Sequence, residues 1–236
     1  MTARPLVHLV GAGPGDPLLL TRKAARLLAA ADVVVADRPS IDPVLALAGP
    51  HTERIYVGRT AAGPAWTTGA LADLLATHAR QGRCVVRLKS GDPFVCARGA
   101  EEMAALAARG VACAVTPGVT SATAVPLAAG VPRGMTVTVA SGDRDPVLAP
   151  VPWEALADPD AALVVLTGRA RQGAIADRLV AAGLPAGAGA AVVHAAGRPG
   201  TRIARTTLAD LGHTRLPPPA AVVVGPQPAG GHDARP

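Results

Sequence analysis

The chain predicts an α/β fold built on a parallel sheet, and three observations predict it. Short β-branched runs alternate with Ala/Leu-rich stretches through the first half, the runs are apolar without polar alternation, and several of them empty into loops bearing Gly or Asp. Such alternation marks successive β-α units, and uninterrupted apolar strands are those covered on both faces. Loops at the carboxyl edge of a parallel sheet are where open α/β folds hold their ligands.

The elements follow in order. Strands are expected at 6–10, 33–36, 54–57, 84–88 and 111–115, with helices near 18–31, 41–48, 67–81 and 98–109. Thr116-Pro117-Gly118-Val119 breaks this rhythm, because Pro and Gly punctuate regular structure. A domain junction is placed there, giving a parallel-sheet α/β domain over 1–117. A small-residue helix over 120–129 opens the second domain, an α/β unit with a mixed sheet over 118–226. Its strands are expected at 135–140, 162–166, 190–194 and 220–224, with a candidate strand at 201–206 and a helix near 170–182. The Pro- and Asp-rich stretch 143–159 reads as a surface connection or as a lid over a site. The Gly- and Pro-rich residues 227–236 read as a disordered tail.

Composition narrows the function classes. Half of the 236 residues are hydrophobic, so an ordered core is expected. Aromatic residues are limited to Tyr56, Trp66, Phe94 and Trp153, which argues against nucleic-acid binding by base stacking. The net charge of +6 comes from scattered arginines and serves solubility, with individual arginines left for an acidic small molecule. Cys84, Cys96 and Cys113 lack CxxC spacing, so no metal site or disulfide framework is implied and a reducing cytoplasm fits. No segment reads as a signal peptide or a membrane span.

Four blocks carry candidate chemistry. Gly11-Ala12-Gly13-Pro14-Gly15-Asp16 has a GxGxG spacing instead of GxGxxG, and Pro14 lacks the N–H that a pyrophosphate would want. The glycines serve either a tight turn or close approach of backbone to a ligand. Asp37 closes the second strand and is open to three readings: a ribose partner, a proton acceptor, or a cap for the next helix, a task that suits Ser40 better. Arg59, after the third strand, is a carboxylate clamp or a solvated charge. Ser90-Gly91-Asp92-Pro93-Phe94-Val95 is a stiff loop whose carboxylate suits a ribose, an amine or backbone N–H groups. Arg98 and Glu102, four apart on the following helix, are spaced to pair with each other. Thr116 to Ala122 sets hydroxyls at a helix start, where capping accounts for one of them.

Taken in order, Val10-Gly11-Ala12-Gly13-Pro14-Gly15-Asp16-Pro17, Asp37-Arg38, Tyr56-Val57-Gly58, Arg87-Leu88-Lys89-Ser90-Gly91-Asp92-Pro93-Phe94, Arg98-Gly99, Glu101-Glu102 and Pro117-Gly118-Val119-Thr120-Ser121-Ala122 resemble the tetrapyrrole (corrin/porphyrin) methyltransferase family. The resemblance runs from Val7 to Gly225. It implies two α/β domains of the tetrapyrrole methylase type with the active site in the cleft between them, a homodimer, and S-adenosylmethionine as methyl donor. By position, Pro14, Ser90, Gly91, Asp92, Val95, Thr120, Ser121, Thr167 and Ala196 fall where the family contacts that cofactor. Asp37 falls on the proton-acceptor position and Arg59 on the proton-donor position.

The implied activity is C-methylation of a tetrapyrrole substrate, uroporphyrinogen III, to precorrin-2 on the route to cobalamin or sirohaem, with Arg38, Arg59 and Arg98 as clamps for its acidic side chains. The alternatives are a later precorrin or another acidic macrocycle, and a non-catalytic paralogue that binds cofactor or tetrapyrrole. A dinucleotide oxidoreductase is disfavoured by the GxGxG spacing and by the late position of Asp37. The chain departs from the family in four places: Ser90 replaces a glycine, Arg59 a lysine and Thr167 a methionine, and the segment after Gly130-Val131-Pro132 is short and lacks a Thr-His-Arg stretch.

Overall fold

The computed structural model of the chain describes residues 5–37, 41–58, 66–130, 152–166, 171–217 and 220–225, together with the backbone of 137–141. The chain divides into two compact units between Thr120 and Ser121.

The first unit carries five strands: β1 (Leu6–Gly11), β2 (Val33–Ala36), β3 (Glu53–Tyr56), β4 (Val85–Lys89) and β5 (Ala112–Thr116). They form one sheet in the order β3-β2-β4-β1-β5, and every pairing in it is parallel. β1 leads outward to β2 on one side, whereas β4 leads past β1 to β5 on the other. The strand order therefore reverses between β1 and β4, the place where open parallel sheets form a ligand crevice.

Helices α1 (Arg22–Ala29), α2 (Asp42–Leu45), α3 (Thr68–Arg80) and α4 (Gly99–Ala107) supply the crossovers. Thr21 and Thr67 cap α1 and α3 through their hydroxyls, each accepting an N–H three residues on at 3.1 Å. α3 buries Leu71, Ala72, Leu75, Ala76 and Ala79, the spacing of a one-sided apolar stripe. Val33, Val35 and Val85 meet this stripe in one core, while Val34, Val86 and Leu88 face a second core with Leu28 and Leu45. The central strands thus bury both faces, as their unbroken apolar runs require.

Two helical expectations need correction. The stretch expected as one helix over 18–31 is a 3₁₀ turn (Pro17–Leu19) followed by α1, with Leu20 extended between them. Asp16 and Thr21 each cap a separate start, and their competing caps split the run. The helix expected over 41–48 is regular only through the single turn of α2.

The second unit holds β6 (Val137–Ser141), β7 (Ala162–Leu166), β8 (Gly189–His194), β9 (Arg202–Thr207) and β10 (Ala220–Val224), in the order β6-β7-β10-β8-β9. β6 and β7 are parallel and the other pairings antiparallel, so the sheet is mixed. α5 (Ser121–Ala129) covers one face through Val125 and Ala129. α6 (Trp153–Leu156), α7 (Gln172–Ala181) and α8 (Leu208–Leu211) cover the other. The short α6 and α8 carry too little pattern to be read from the chain. No helix among the described residues is long and apolar enough to cross a membrane.

Candidate active site

Three loops leave the carboxyl ends of β1, β4 and β5 and meet backbone to backbone. Gly13 and Gly91 exchange hydrogen bonds, N to O at 3.1 Å and 2.7 Å, and Ala12 N donates to Lys89 O at 2.7 Å. A Cβ on Gly11 would lie 2.5 Å from Gly118 N and 2.7 Å from Gly91 O; one on Gly118 would lie 2.4 Å from Gly91 O. The GxGxG run thus serves a third purpose beside the two expected, since Gly11 lets three main chains converge where no side chain fits. Gly118→Ala should lower stability by about 1–3 kcal/mol, read as a reduced urea midpoint. An unchanged midpoint would show that the loops yield without strain.

Asp92 ties this knot. Its Oδ1 accepts Phe94 N at 2.8 Å and its Oδ2 accepts Gly118 N at 3.1 Å, so both oxygens hold backbone donors from two different loops. Of the partners open to it from sequence, the structure therefore supplies backbone N–H groups. Ser90 Oγ and Thr116 Oγ1, beside the same loops, are buried without a hydrogen-bond partner. An orphaned hydroxyl at a strand end is a place for a polar ligand atom. Pro14 is buried in the turn between Gly13 and Gly15, whose φ values are 64° and 113°.

The loop from Pro93 to Arg98 is strained. Cys96 and Arg98 sit at φ 55° and 58°, unusual for non-glycine residues. Val95 N donates to Asp92 O at 3.4 Å, and Gly99 packs so closely that a Cβ would lie 2.3 Å from Pro93 O. Backbone strain of this kind collects at ligand-holding loops.

Asp37 leaves β2 beside β4 and enters a buried ionic network absent from the sequence expectations. Arg87, Lys89 and Glu102 are only 2%, 3% and 7% exposed. Arg87 and Lys89 point to the same face of β4, two residues apart, and Glu102 reaches them from the first turn of α4. Arg87 Nε and Nη2 donate to Glu102 Oε2 and Oε1 at 3.0 and 3.2 Å, and Lys89 Nζ donates to Glu102 Oε1. Arg87 Nη2 also donates to Asp37 Oδ1, and Nη1 donates to Val35 O and Leu88 O at 3.3 and 3.1 Å. All five guanidinium N–H groups are thereby used. Among the described residues, Asp37 Oδ2 accepts only a long bond from Ser90 N, at 3.4 Å.

Burial pushes the Asp37 carboxyl toward its neutral form, but the Arg87 and Lys89 cations outweigh it and hold its pKa below the ordinary carboxylate value. For Lys89 burial leads and the neighbouring Arg87 adds to it, so its pKa lies below that of a free lysine despite Asp37 and Glu102. The expected Arg98–Glu102 pair is corrected: Arg98 Nε donates to Glu101 Oε2 at 2.7 Å on the exposed side, while Glu102 turns inward. The α-helical spacing allows both partners, and the buried cations win Glu102 because desolvated charges need compensation.

The remaining expected positions are distributed as follows. Thr120 ends the first unit, and Ser121 opens α5 in the second. Ala196 follows Ala195, a non-glycine residue at φ 51°, in a turn braced by Thr201 Oγ1 donating to Ala195 O at 2.9 Å. Arg38, Ser40, Arg59, Thr167 and the segments 131–136 and 226–236 lie outside the described residues, as does 143–151 of the expected lid or connection.

The tetrapyrrole (corrin/porphyrin) methylase family model matches residues 6–212. The chain is similar to the S-adenosyl-L-methionine-dependent uroporphyrinogen III methyltransferase of Methanosarcina barkeri, with 38% identity over 230 residues covering 93% of this chain and 90% of that one. It is 39% identical over 215 residues to the chloroplastic uroporphyrinogen III methyltransferase of Arabidopsis thaliana, covering 87% of this chain and 57% of the relative. Several bacterial sirohaem synthases also match, and the chain spans about half their length. Among solved structures, uroporphyrin-III C-methyltransferase from Thermus thermophilus in complex with S-adenosylhomocysteine superposes with a TM-score of 0.76 at 39% identity, covering 93% of this chain and 91% of that one.

Proposed function

The chain belongs to the tetrapyrrole (corrin/porphyrin) methylase family, and from that premise we propose that it is an S-adenosylmethionine-dependent methyltransferase that converts uroporphyrinogen III to precorrin-2. The observation that carries this reading is the knot of loops at the β1–β4 reversal, with the orphaned Ser90 hydroxyl beside it. It is supported by relatives of nearly equal length that carry this activity in their names.

The residues present fit the methyl donor. In this reading Pro14, Ser90, Gly91, Asp92, Val95 and Thr120 hold it from the first unit, and Ser121 and Ala196 are carried over from the family resemblance. Thr167 and Arg59 enter on the family resemblance alone. When bound, S-adenosylmethionine supplies an electron-poor methyl group on a sulfonium. Ser90 Oγ offers a polar contact that no atom of the described residues takes up, and Asp92 keeps the loop shaped around it. Methyl transfer needs in-line approach, so holding two reactants in register accounts for much of the catalysis.

Asp37 takes the proton released as the macrocycle rearranges. A carboxylate held below its ordinary pKa is a weak base, which suits this step. Adding a methyl group to a neutral pyrrole carbon leaves the ring system cationic, and a proton lost from a cation needs only a weak acceptor. Arginine at position 59 stays protonated at ordinary pH and serves better as a clamp for substrate carboxylates than as a proton donor. A homodimer and a cytoplasmic location complete the reading; both rest on the family's habit, and the location is also supported by free Cys84, Cys96 and Cys113.

The test is anaerobic incubation of the purified protein with S-adenosylmethionine and freshly generated uroporphyrinogen III. Two methyl additions in the product mass, with matching S-adenosylhomocysteine release, are expected. Cofactor binding without methylation would overturn the substrate assignment and point to another acidic macrocycle or a binding paralogue.

A further inference from the structure

Glu102 is buried and makes three charge-assisted hydrogen bonds. Helix α4 has no local need of it there, since Glu101 already pairs with Arg98 at the helix start. Its partners are the two cations of β4 that act on Asp37, Arg87 through an ion pair and Lys89 through its charge. The geometry of the guanidinium matters. A free Arg beside a carboxylate closes on both oxygens in a fork. Here the Nε–Nη2 edge of the fork is filled by Glu102, so Asp37 receives one N–H from Arg87 on Oδ1 and, among the described residues, keeps Oδ2 with only the 3.4 Å contact from Ser90 N.

We propose that Glu102 is a positioning residue for the methyltransferase: by gripping Arg87 through two N–H groups it limits Arg87 to one contact with Asp37, and so leaves Asp37 Oδ2 open to receive the proton. The role rests on the reading of Asp37 as proton acceptor. Without Glu102, Arg87 is free to turn its fork onto both oxygens of Asp37. The two buried cations then bear on one carboxylate instead of two, and Asp37 becomes both less accessible and less basic.

The experiment measures kcat, KM for S-adenosylmethionine and the pH profile of kcat for Glu102→Gln, for Asp37→Asn and for the double variant Glu102→Gln/Lys89→Met. Glu102→Gln is expected to lower kcat by about 100-fold with KM unchanged, and to move the acid limb of kcat to lower pH. The double variant removes one buried acid and one buried base, so Arg87 and Asp37 remain as a balanced pair. It is expected to match the parent in urea midpoint and to stay slow, because the fork is still free. Recovery of parental kcat in the double variant would show that Glu102 only balances charge, and would overturn the proposal. If Asp37→Asn is inactive while Glu102→Gln is fully active, Glu102 has no positioning role and the Asp37 reading stands. If Asp37→Asn turns over normally, the Asp37 reading itself fails, and the Glu102 role with it.

Discussion

Asp37→Asn is expected to lower kcat by about 10²–10⁴-fold while leaving the affinity for S-adenosylmethionine within the parental range. The split follows from geometry. Asp37 lies at the end of β2 and bonds to Arg87 and Ser90 N, whereas the loop knot is held by Asp92 and the Gly13–Gly91 pair. A variant that loses turnover without losing cofactor has lost an interaction made in the transition state. Calorimetric titration of the cofactor beside steady-state kinetics reads both arms, and equal losses in both would place Asp37 in cofactor binding instead.

The same substitution has a pH signature. The folded pKa of Asp37 is depressed by Arg87 and Lys89 against the pull of burial. The carboxylate therefore contributes stability that is present above its unfolded pKa and is lost as pH falls through the lower folded value. Acid titration of the parent crosses this window and the Asn variant does not, so the gap in urea midpoint between them should close toward low pH.

Arg87→Met is expected to destabilise the protein by about 3–5 kcal/mol, the range for breaking a buried ion pair by deleting one partner. Arg87 stands between two carboxylates, and its removal leaves Lys89 alone against both, with Glu102 almost wholly desolvated. The double variant Arg87→Met/Glu102→Gln leaves Asp37 and Lys89 balanced. It should recover most of that loss, because the penalty arises from an uncompensated buried charge more than from the missing contacts. Denaturation curves at neutral pH decide it: a double variant as weak as the single one would assign the loss to packing of the Arg87 stem.

Much of the fold was legible because its signals are local. The apolar runs at 33–36 and 162–166 need only their own residues to read as buried strands, and they coincide with β2 and β7. The capping threonine of α3 marks a helix start within four residues of chain, and the helix expected from 67 begins there. Where local signals compete, as Asp16 and Thr21 do, the reading merged two elements into one. The short α6 and α8 are held by packing against α7 and carried no periodicity to find.

The chain by itself determined an α/β fold with Gly- and Asp-bearing loops at strand ends, because strand, helix and turn preferences act over a few residues, and its motifs carried the resemblance to the tetrapyrrole methylases. Which charges meet was decided only by the tertiary structure. The sheet order β3-β2-β4-β1-β5 sets β2 beside β4 and so brings Arg87 to Asp37 across 50 residues of sequence, and α4 folding over β4 brings Glu102 to Arg87 across 15. On the chain, Glu102 has a nearer cation in Arg98, four residues away. Burial overrides that proximity, since the energy of an ion pair depends on the solvent excluded around it, and that quantity exists only after the sheet and its helices have packed.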